Sequence, residues 1–506
     1  MKSFKSLLSG LSVRSSSGDL ELHVFAPQSD TRRVVAGSVF VAVKDAYHDG
    51  PKWVMDAIEK GAAALILGEA PEAELSVPWV VVPHPGHALA VASANFHGNP
   101  SRKLDLIGIT GTSGKTTTAT LIHAILTTAG RNAGLFGTTV GAEFAGKAVK
   151  TGLTTPESPE LQAILADWQA RGCDTATMEV SSHGIALKRV AACDFAVGVF
   201  TGLGQDHLDF HEDLEDYGET KINWLLGDVQ RSKRCKGVVL PEGCDWADQV
   251  HAEFRGNVMT FGFSEEADVY PPHLELSATG TRGRIHTPDG TLTLDLRLPG
   301  RHNVKNAMAA ICVAILLGVP PIDIVDGLSR VRRVPGRLEA VANDAGLAVF
   351  VDYAHKPDAL LAVIGSLREI VPAGSRLIVV FGCGGDRDRQ KRPEMGRIAY
   401  ENADIVVITS DNPRSEAPLS IIDEIALGTP PDAEPGRVHI EADRRAAIEL
   451  ALLDLAEPGD VVLIAGKGHE TGQVVGVEVR PFDDRVVAAE VVAQLVARDA
   501  EEPAPA

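Results

Sequence analysis

Leu104-Asp105-Leu106-Ile107-Gly108-Ile109-Thr110-Gly111-Thr112-Ser113-Gly114-Lys115-Thr116-Thr117-Thr118 joins a short apolar strand to a glycine-rich turn and the start of a helix. In such a strand–turn–helix, the N–H groups of the turn and of the helix N-terminus face a phosphate. The lysine adds a positive charge, and a hydroxyl reaches a magnesium ion. The usual pattern has a further glycine where this chain has Ile109, so the stretch is a variant phosphate loop.

The composition is that of a folded, acidic protein with several domains. The chain has 506 residues, a length that predicts about three domains, and 44% of them are hydrophobic, which is enough for full cores. A formal net charge of −20 excludes nucleic acid and anionic membranes as favoured partners. Any anionic ligand must therefore be bound by local arginine and lysine side chains.

The sequence shows no sign of export or of membrane insertion. Residues 1–18 are rich in serine and lack the apolar core of a signal peptide. The longest apolar run, residues 307–319, is shorter than the roughly 18–20 residues that span a bilayer. The six cysteines lack metal-ligand spacing and are typical of free thiols in a reducing compartment. We therefore expect a cytoplasmic protein.

Alternating strand and helix patterns predict an α/β protein of three domains. Residues 1–103 form a smaller α/β domain with buried strands near 39–43 and 63–67. Residues 104–332 form a central domain with a parallel sheet of the phosphate-loop type and an antiparallel appendage near 274–298. Residues 333–506 form a Rossmann-like, doubly wound domain.

Polar candidates follow the predicted strands of the central domain. Glu179 ends one strand, at the edge where parallel sheets bind ligands, and is a candidate magnesium ligand, although a solvated carboxylate at a strand end is the commoner role for such a residue. Aspartate and histidine side chains cluster at residues 205–211, where a metal or phosphate site and an ordinary surface loop are equally open interpretations. Asn303 and Asn306 begin an apolar helix, and a helix cap together with an interior amide is the simplest interpretation of the two.

Four predicted strands of the third domain end in polar segments. These segments are residues 352–357, 383–388, 410–414 and 466–470. Together they bring glycine, arginine, aspartate, histidine and glutamate to one edge of the sheet. Because arginine forks bind carboxylates, this edge suits a ligand that carries both carboxylate and amine groups.

These segments, taken in order from about residue 25 to residue 490, resemble the Mur ligases, the enzymes that add amino acids in peptidoglycan synthesis. Within that family the chain is similar to the MurE type, which adds the third residue of the stem peptide. The form Asp411-Asn412-Pro413-Arg414 resembles the enzymes that add meso-diaminopimelate, whose arginine can bind the distal carboxylate. Lysine-adding relatives usually lack that arginine.

The resemblance implies ATP and Mg²⁺ as cofactors and assigns a role to each matching residue. The catalytic residues would be Lys115, Glu179, His207 and Lys221, and the metal ligands Thr116, Glu179, His207 and, once carbamylated, Lys221. ATP would be bound by Gly111, Thr112, Ser113, Gly114, Lys115, Thr116, Thr117, Asn303, Asn306, Arg337 and Asp352. UDP-MurNAc-L-Ala-D-Glu would be bound by Thr31, Ala46, Tyr47, His48, Thr154, Thr155, Ser181 and Arg189. The diamino acid would be bound by Arg387, Asp411, Asn412, Pro413, Arg414, Gly466 and Glu470.

The implied reaction is ATP-dependent amide formation through an acyl phosphate. Because nucleotide and amino acid would bind to separate domains, we expect the third domain to close onto the second before reaction. We also expect a monomer. Three alternatives remain open. The same reaction could use L-lysine or L-ornithine, and a relative that adds glutamate to folate would lack the first domain. A nucleotide-binding regulatory protein without ligase activity would be expected to carry a guanine-reading Asn-Lys-x-Asp segment, which the sequence lacks.

Overall fold

The protein is described from a computed structural model that covers residues 1–45, 47–207 and 210–501, with side chains up to residue 498. The described residues form two compact units. The first comprises the described residues of 1–203, 210–261 and 309–324, and the second comprises the remainder. Within the described part of the chain, no helix is both long and apolar enough to span a membrane.

The first hundred residues build a small α/β layer. Its elements are β1 (Lys2–Ser3), α1 (Phe4–Leu7), β2 (Ser15–Ser17), β3 (His23–Val24), β4 (Pro27–Gln28), β5 (Val39–Val41), α2 (Val54–Glu59), β6 (Ala64–Leu67), β7 (Trp79–Val81) and α3 (Pro85–His97). The sheet order is β2-β7-β6-β5-β4, and β4 to β7 run parallel. Both faces of this sheet carry an apolar cluster, so the two apolar runs near residues 39–43 and 63–67 are buried strands, as predicted.

The next segment contains the phosphate loop and the largest sheet. Its elements are β8 (Asp105–Thr110), α4 (Lys115–Thr128), β9 (Ala133–Gly137), β10 (Gly141–Phe144), β11 (Lys147–Val149), α5 (Ser158–Ala170), β12 (Thr175–Glu179), α6 (Ser182–Ala186), β13 (Phe195–Phe200), α7 (Leu214–Trp224), β14 (Gly237–Pro241), α8 (Asp245–Glu253), β15 (Val258–Phe261), β16 (Tyr270–Ser277), β17 (Gly280–Thr287), β18 (Gly290–Leu296), α9 (Arg301–Leu316) and α10 (Pro321–Arg330). The eight-stranded sheet has the order β11-β10-β9-β12-β8-β13-β14-β15 and is parallel from β9 to β15. Strands β16 to β18 form the antiparallel appendage that the turn residues predicted.

The last segment is a second doubly wound sheet. Its elements are β19 (Glu339–Val341), β20 (Ala348–Asp352), α11 (Pro357–Arg368), β21 (Leu377–Phe381), α12 (Lys391–Asn402), β22 (Ile405–Ile408), α13 (Pro418–Ala426), β23 (Val438–Ile440), α14 (Arg444–Glu449), β24 (Val461–Ala465), β25 (Gly472–Val475), β26 (Glu478–Pro481) and α15 (Asp484–Glu501). The sheet order is β19-β20-β24-β21-β22-β23, and every pair except β19–β20 is parallel. Apolar clusters cover both faces, as a parallel sheet requires.

The α/β class and the two large parallel sheets agree with the sequence analysis. Each of the three predicted domains contains a main sheet of its own. The five- and eight-stranded sheets lie in the first unit, and the six-stranded sheet lies in the second. The appendage β16–β18 also belongs to the second unit, where Ala278 packs against the apolar core. The boundaries at residues 103 and 332 remain predictions.

Candidate functional site

The phosphate loop has the backbone that its glycines suggested. Gly111 has φ +139° and Gly114, the N-cap of α4, has φ +87°, conformations that other residues rarely adopt. A Cβ atom on Gly111 would also collide with the hydroxyl of Thr201. The residues that follow β13 hold the loop through two hydrogen bonds. Thr112 N donates to Gly202 O at 3.0 Å, and Thr201 Oγ1 donates to Ser113 O at 2.6 Å.

Lys115 folds back over this loop. Its Nζ donates to Gly111 O at 2.7 Å and to Thr112 O at 3.1 Å. The positive end of the helix dipole and the Lys115 ammonium both lie at the loop. The first turn of α4 carries no acidic residue that would neutralise this positive charge. Backbone donors, helix end and lysine therefore fit a bound polyphosphate.

Glu179 lies beside the loop and is 1% exposed. Strand β12 pairs with β8 so that Glu179 stands opposite Ile109. Its carboxylate accepts from Thr116 Oγ1 at 3.1 Å, Thr138 N at 2.8 Å and Thr138 Oγ1 at 3.1 Å. Thr116 and Glu179, which the resemblance assigned to one magnesium ion, are therefore in contact, and their role as metal ligands remains a prediction. Thr138 was missed, and its only sequence signal is that it directly follows β9.

The threonine hydroxyl and the carboxylate form an oxygen donor pair of the kind that Mg²⁺ takes from proteins. Among the described residues, no three histidine, cysteine, aspartate or glutamate side chains gather into a metal site. The donor pair Thr116–Glu179 therefore fits a magnesium ion that keeps other ligands from water or phosphate.

The two further predicted metal ligands are found in different units. Lys221 on α7 is 1% exposed, its Nζ donates to Gly111 O at 3.3 Å, and it stands 4.3 Å from the centre of the Tyr217 ring. His207 belongs to the second unit, where its Nε2 lies 3.1 Å from Asp206 Oδ2. The structure thus brings Lys221 to the phosphate loop, and His207 as a metal ligand remains a prediction.

Hydroxyl groups continue from Glu179 along the same sheet edge. Thr155 Oγ1 donates to Glu179 O at 2.9 Å and lies 3.1 Å from Ser181 Oγ, while Thr154 Oγ1 lies 3.2 Å from Thr138 Oγ1. Arg189 is 6% exposed, and its Nε lies 2.8 Å from the carboxylate of Glu157. Four predicted substrate residues, namely Thr154, Thr155, Ser181 and Arg189, therefore lie in one connected patch.

The predicted uridine-binding residues lie in loops of the first hundred residues. Thr31 begins a 3₁₀ turn, and His48 Nδ1 lies 2.9 Å from Asp45 Oδ1. Tyr47 is 60% exposed, and its ring is nearly parallel to that of Phe210, with centres 5.9 Å apart. Ala46 lies outside the described residues. The pairing of Tyr47 with Phe210 was not predicted from the sequence.

The remaining nucleotide candidates belong to the second unit. Asn303 Nδ2 donates to Pro299 O at 2.8 Å and Asn306 Nδ2 donates to Asn303 Oδ1 at 3.4 Å. Both residues lie in the first two turns of α9, and in these bonds their amides donate rather than cap the helix N–H groups. Asp352 accepts from two backbone N–H groups, and burial raises the pKa of its carboxyl group although the charge of Arg337 opposes this. The Arg337 guanidinium stands 4.8 Å from the centre of the Tyr353 ring.

The loops after β22 and β24 meet closely in the second unit. A Cβ atom on Gly466, which has φ +116°, would lie 2.6 Å from Asp411 Oδ2. Asn412 Nδ2 donates to Glu470 Oε2 at 2.8 Å. Lys467 is fully buried, and its Nζ donates to Asn412 Oδ1 and Glu470 Oε2, each at 3.1 Å. Lys467 was not among the predicted site residues, and its burial is visible only in the fold.

Arg414 is held by the β25–β26 hairpin. It has φ +51°, its N–H donates to Val474 O at 3.0 Å, and Gly476 N donates to its carbonyl at 2.7 Å. Its Nη1 donates to Gly385 O at 2.7 Å, and no described residue accepts from its Nε or Nη2. Pro413 precedes it in the same loop, and Arg387 is exposed in the loop after β21. This edge therefore presents arginine donors together with the carboxylates of Asp411 and Glu470.

Comparison with known proteins agrees with this geometry. Two family profiles match the chain, the Mur ligase middle domain over residues 109–314 and the Mur ligase, glutamate ligase domain over residues 336–468. The first covers the phosphate loop and Glu179, and the second covers the loops after β21, β22 and β24 up to Gly468.

Individual relatives match over nearly the whole chain. The UDP-N-acetylmuramoyl-L-alanyl-D-glutamate--2,6-diaminopimelate ligase of Syntrophomonas wolfei is 39% identical over 486 residues, which are 96% of this chain and 98% of that protein. A solved structure of an enzyme with that name is 30% identical, with a TM-score of 0.72 over 98% of this chain and 99% of the other. The MurF ligase from Thermotoga maritima in complex with ADP shares the fold, with a TM-score of 0.60 at 22% identity, covering 94% of this chain and 98% of the other.

Proposed function

The chain belongs to the Mur ligase family, and from that premise we propose that it joins meso-diaminopimelate to UDP-MurNAc-L-Ala-D-Glu with hydrolysis of ATP to ADP and phosphate. The choice of amino acid rests on the hydrogen-bond donors of Arg414. Its backbone is fixed by the hairpin, and its Nε and Nη2 lack an acceptor among the described residues. A guanidinium with two such donors can bind the second carboxylate of meso-diaminopimelate, which lysine and ornithine lack.

The first step is phosphoryl transfer to the γ-carboxylate of the D-glutamate. A carboxylate oxygen attacks the γ-phosphorus of ATP, the bond from phosphorus to the ADP oxygen breaks, and an acyl phosphate forms. Lys115 and the N–H groups of residues 111–117 bind the phosphates and neutralise charge as it moves to ADP. Positioning and electrostatics therefore account for most of the catalysis.

The donor pair Thr116–Glu179 would hold Mg²⁺, with Lys221 in carbamylated form and His207 as further ligands. The ion supplies positive charge that stabilises the transferring phosphoryl group. Thr138 orients Glu179 by donating from both its N–H and its hydroxyl, so that the carboxylate stays turned toward Thr116. Lys221 requires no rearrangement to reach the loop, because its Nζ already contacts Gly111 O.

The second step forms the amide. An amine of the diamino acid attacks the acyl carbon, phosphate leaves, and the nitrogen loses a proton. Asn412 and Glu470 form an amide–carboxylate pair suited to the other ammonium group, since Glu470 accepts at Oε2 from Asn412 and Lys467 and keeps Oε1 for a ligand. Asp411, Gly466 and Arg387 complete this side of the site.

The test offers the purified protein ATP, Mg²⁺ and UDP-MurNAc-L-Ala-D-Glu together with meso-diaminopimelate, L-lysine or L-ornithine in separate reactions. Phosphate release that requires both the nucleotide substrate and meso-diaminopimelate supports the proposal. Equal or faster turnover with lysine or ornithine would show that Arg414 does not select the amino acid. Phosphate release from ATP alone, unchanged by either substrate, would instead indicate a nucleotide-hydrolysing switch.

A further inference from the structure

A fully buried ion pair lies beneath the diamino-acid site, and the mechanism above does not use it. Arg444 begins α14 and Asp484 begins α15, and both side chains are 0% exposed. The contact is bidentate, with Arg444 Nε donating to Asp484 Oδ1 at 2.8 Å and Nη2 to Oδ2 at 2.7 Å. Burial lowers the pKa of Arg444, but the charge and hydrogen bonds of Asp484 outweigh it and keep the guanidinium protonated.

The other donors of Arg444 reach the ends of two strands. Nη1 donates to Ser410 O at 3.0 Å, and Nη2 donates to Ala465 O at 2.9 Å. These carbonyls immediately precede Asp411 and Gly466. Strands β22 and β24 are not neighbours, because β21 lies between them, so backbone pairing does not join their ends directly. The Arg444 guanidinium therefore links the first residues of the loops after β22 and β24 through hydrogen bonds.

The spacing of these loops decides the geometry of the diamino-acid site. Asn412 of one loop bonds Glu470 of the other, and Lys467 bridges the same two side chains. The positive charge of Arg444 also acts on Asp411 and Glu470, since both carboxylates raise its pKa. A substitution of Arg444 would thus change the electrostatic environment of the Asp411 and Glu470 carboxylates, although Arg444 itself is buried.

We propose that Arg444 is a positioning residue for the diamino acid. Oriented by Asp484, it fixes the distance between loops 411–414 and 466–470, and with it the distance between the groups that bind the carboxylate and the ammonium at the distal end of the amino acid. This inference rests on the proposed function, since it takes these loops to be the diamino-acid site. A planar fork is required, because one ammonium group lacks the geometry to bind two carbonyls and a bidentate carboxylate together.

The experiment compares Arg444→Lys with Arg445→Lys. Arg445 is the next residue on α14 and binds Glu449 and Glu490 at the surface, so it is a matched control. The KM for meso-diaminopimelate, the KM for ATP and the KM for UDP-MurNAc-L-Ala-D-Glu are measured separately, together with Tm. We expect Arg444→Lys to raise the KM for the diamino acid roughly 10- to 100-fold, in line with the cost of small misplacements at a site, and to leave the other two KM values unchanged.

Arg445→Lys should leave all three KM values unchanged. An unchanged KM for the diamino acid in a folded Arg444→Lys protein overturns the proposal, and so does an equal rise in all three KM values, which indicates a general structural role. If Arg444→Lys fails to fold, Asp484→Asn replaces it. That variant retains the two carbonyl contacts of Arg444 but not the ion pair, and a selective though smaller rise in the same KM is then required.

The wild-type reaction separates this proposal from the proposed function. Failure of the wild type to use meso-diaminopimelate rejects the assignment of substrate and leaves the role of Arg444 to be decided. In that event the same three KM values are measured with the amino acid that the wild type does use. A selective rise for that amino acid supports the positioning role, and its absence rejects it.

Discussion

Replacing Arg414 by glutamine should reduce the preference for meso-diaminopimelate over L-lysine about 30- to 150-fold. The perturbation is confined to the side chain, because the loop is held through backbone bonds to Val474 and Gly476 that glutamine retains. Glutamine also keeps an amide donor that can replace the contact of Nη1 with Gly385 O. What is lost is the positive charge and the fork formed by Nε and Nη2.

The magnitude follows from the two donors that remain for a ligand. A hydrogen bond to a charged group contributes about 1.5–3 kcal/mol net when solvent competes little. Arg414 is half-buried, so we take about 2–3 kcal/mol for the pair rather than the sum of two full values. At about 1.4 kcal/mol for each factor of ten, kcat/KM for meso-diaminopimelate should fall about 30- to 150-fold.

The assay measures kcat/KM for meso-diaminopimelate and for L-lysine with the same enzyme preparations. Lysine lacks the distal carboxylate, so its kcat/KM should not change, and the ratio of the two values should fall by the full factor. Arg480→Ala is the control, because Arg480 is an exposed arginine of the same hairpin whose guanidinium pairs with Glu478. Equal losses for both amino acids, or no loss for meso-diaminopimelate, would show that Arg414 does not bind the distal carboxylate.

Three further outcomes are expected. Lys115→Met should abolish ADP formation, since the ammonium over the loop is lost, and near-normal turnover would remove the loop from the mechanism. Glu179→Gln keeps an acceptor for Thr116 but not the charge, so activity should need much more Mg²⁺, and an unchanged magnesium titration would contradict this role. Burial lowers the pKa of His302 from 6.5 to about 4, so this neutral imidazole contributes stability above pH 6.5 that is lost as the pH falls toward 4. His302→Asn should therefore flatten the dependence of the unfolding free energy on pH in that window, and an unchanged slope would count against this explanation.

Much of the fold could be predicted because its strongest signals are local. Continuous apolar runs such as those at 39–43 and 377–381 became buried parallel strands, since a parallel sheet with both faces covered requires such runs. The phosphate loop could be predicted equally well, because its glycines, lysine and threonine lie within one short turn of the sequence. The asparagines at 303 and 306 lie at the start of α9, where the sequence indicated a helix, although the bonds that their amide nitrogens donate are not N-cap contacts.

The chemistry of each segment follows from the amino-acid sequence alone: the variant phosphate loop, the carboxylate at the end of β12 and the arginine of the 411–414 loop. Each of these features depends on residues that are adjacent in the sequence. The tertiary structure decided which side chains support them. Thr138 binds Glu179 across 41 positions, Lys467 binds Asn412 across 55, and Arg444 binds Asp484 across 40. The first two pairs arise because parallel strands distant in sequence end at one edge of a sheet, and the third joins the first residues of helices α14 and α15. Tertiary packing, rather than any spacing along the chain, therefore selects the partners.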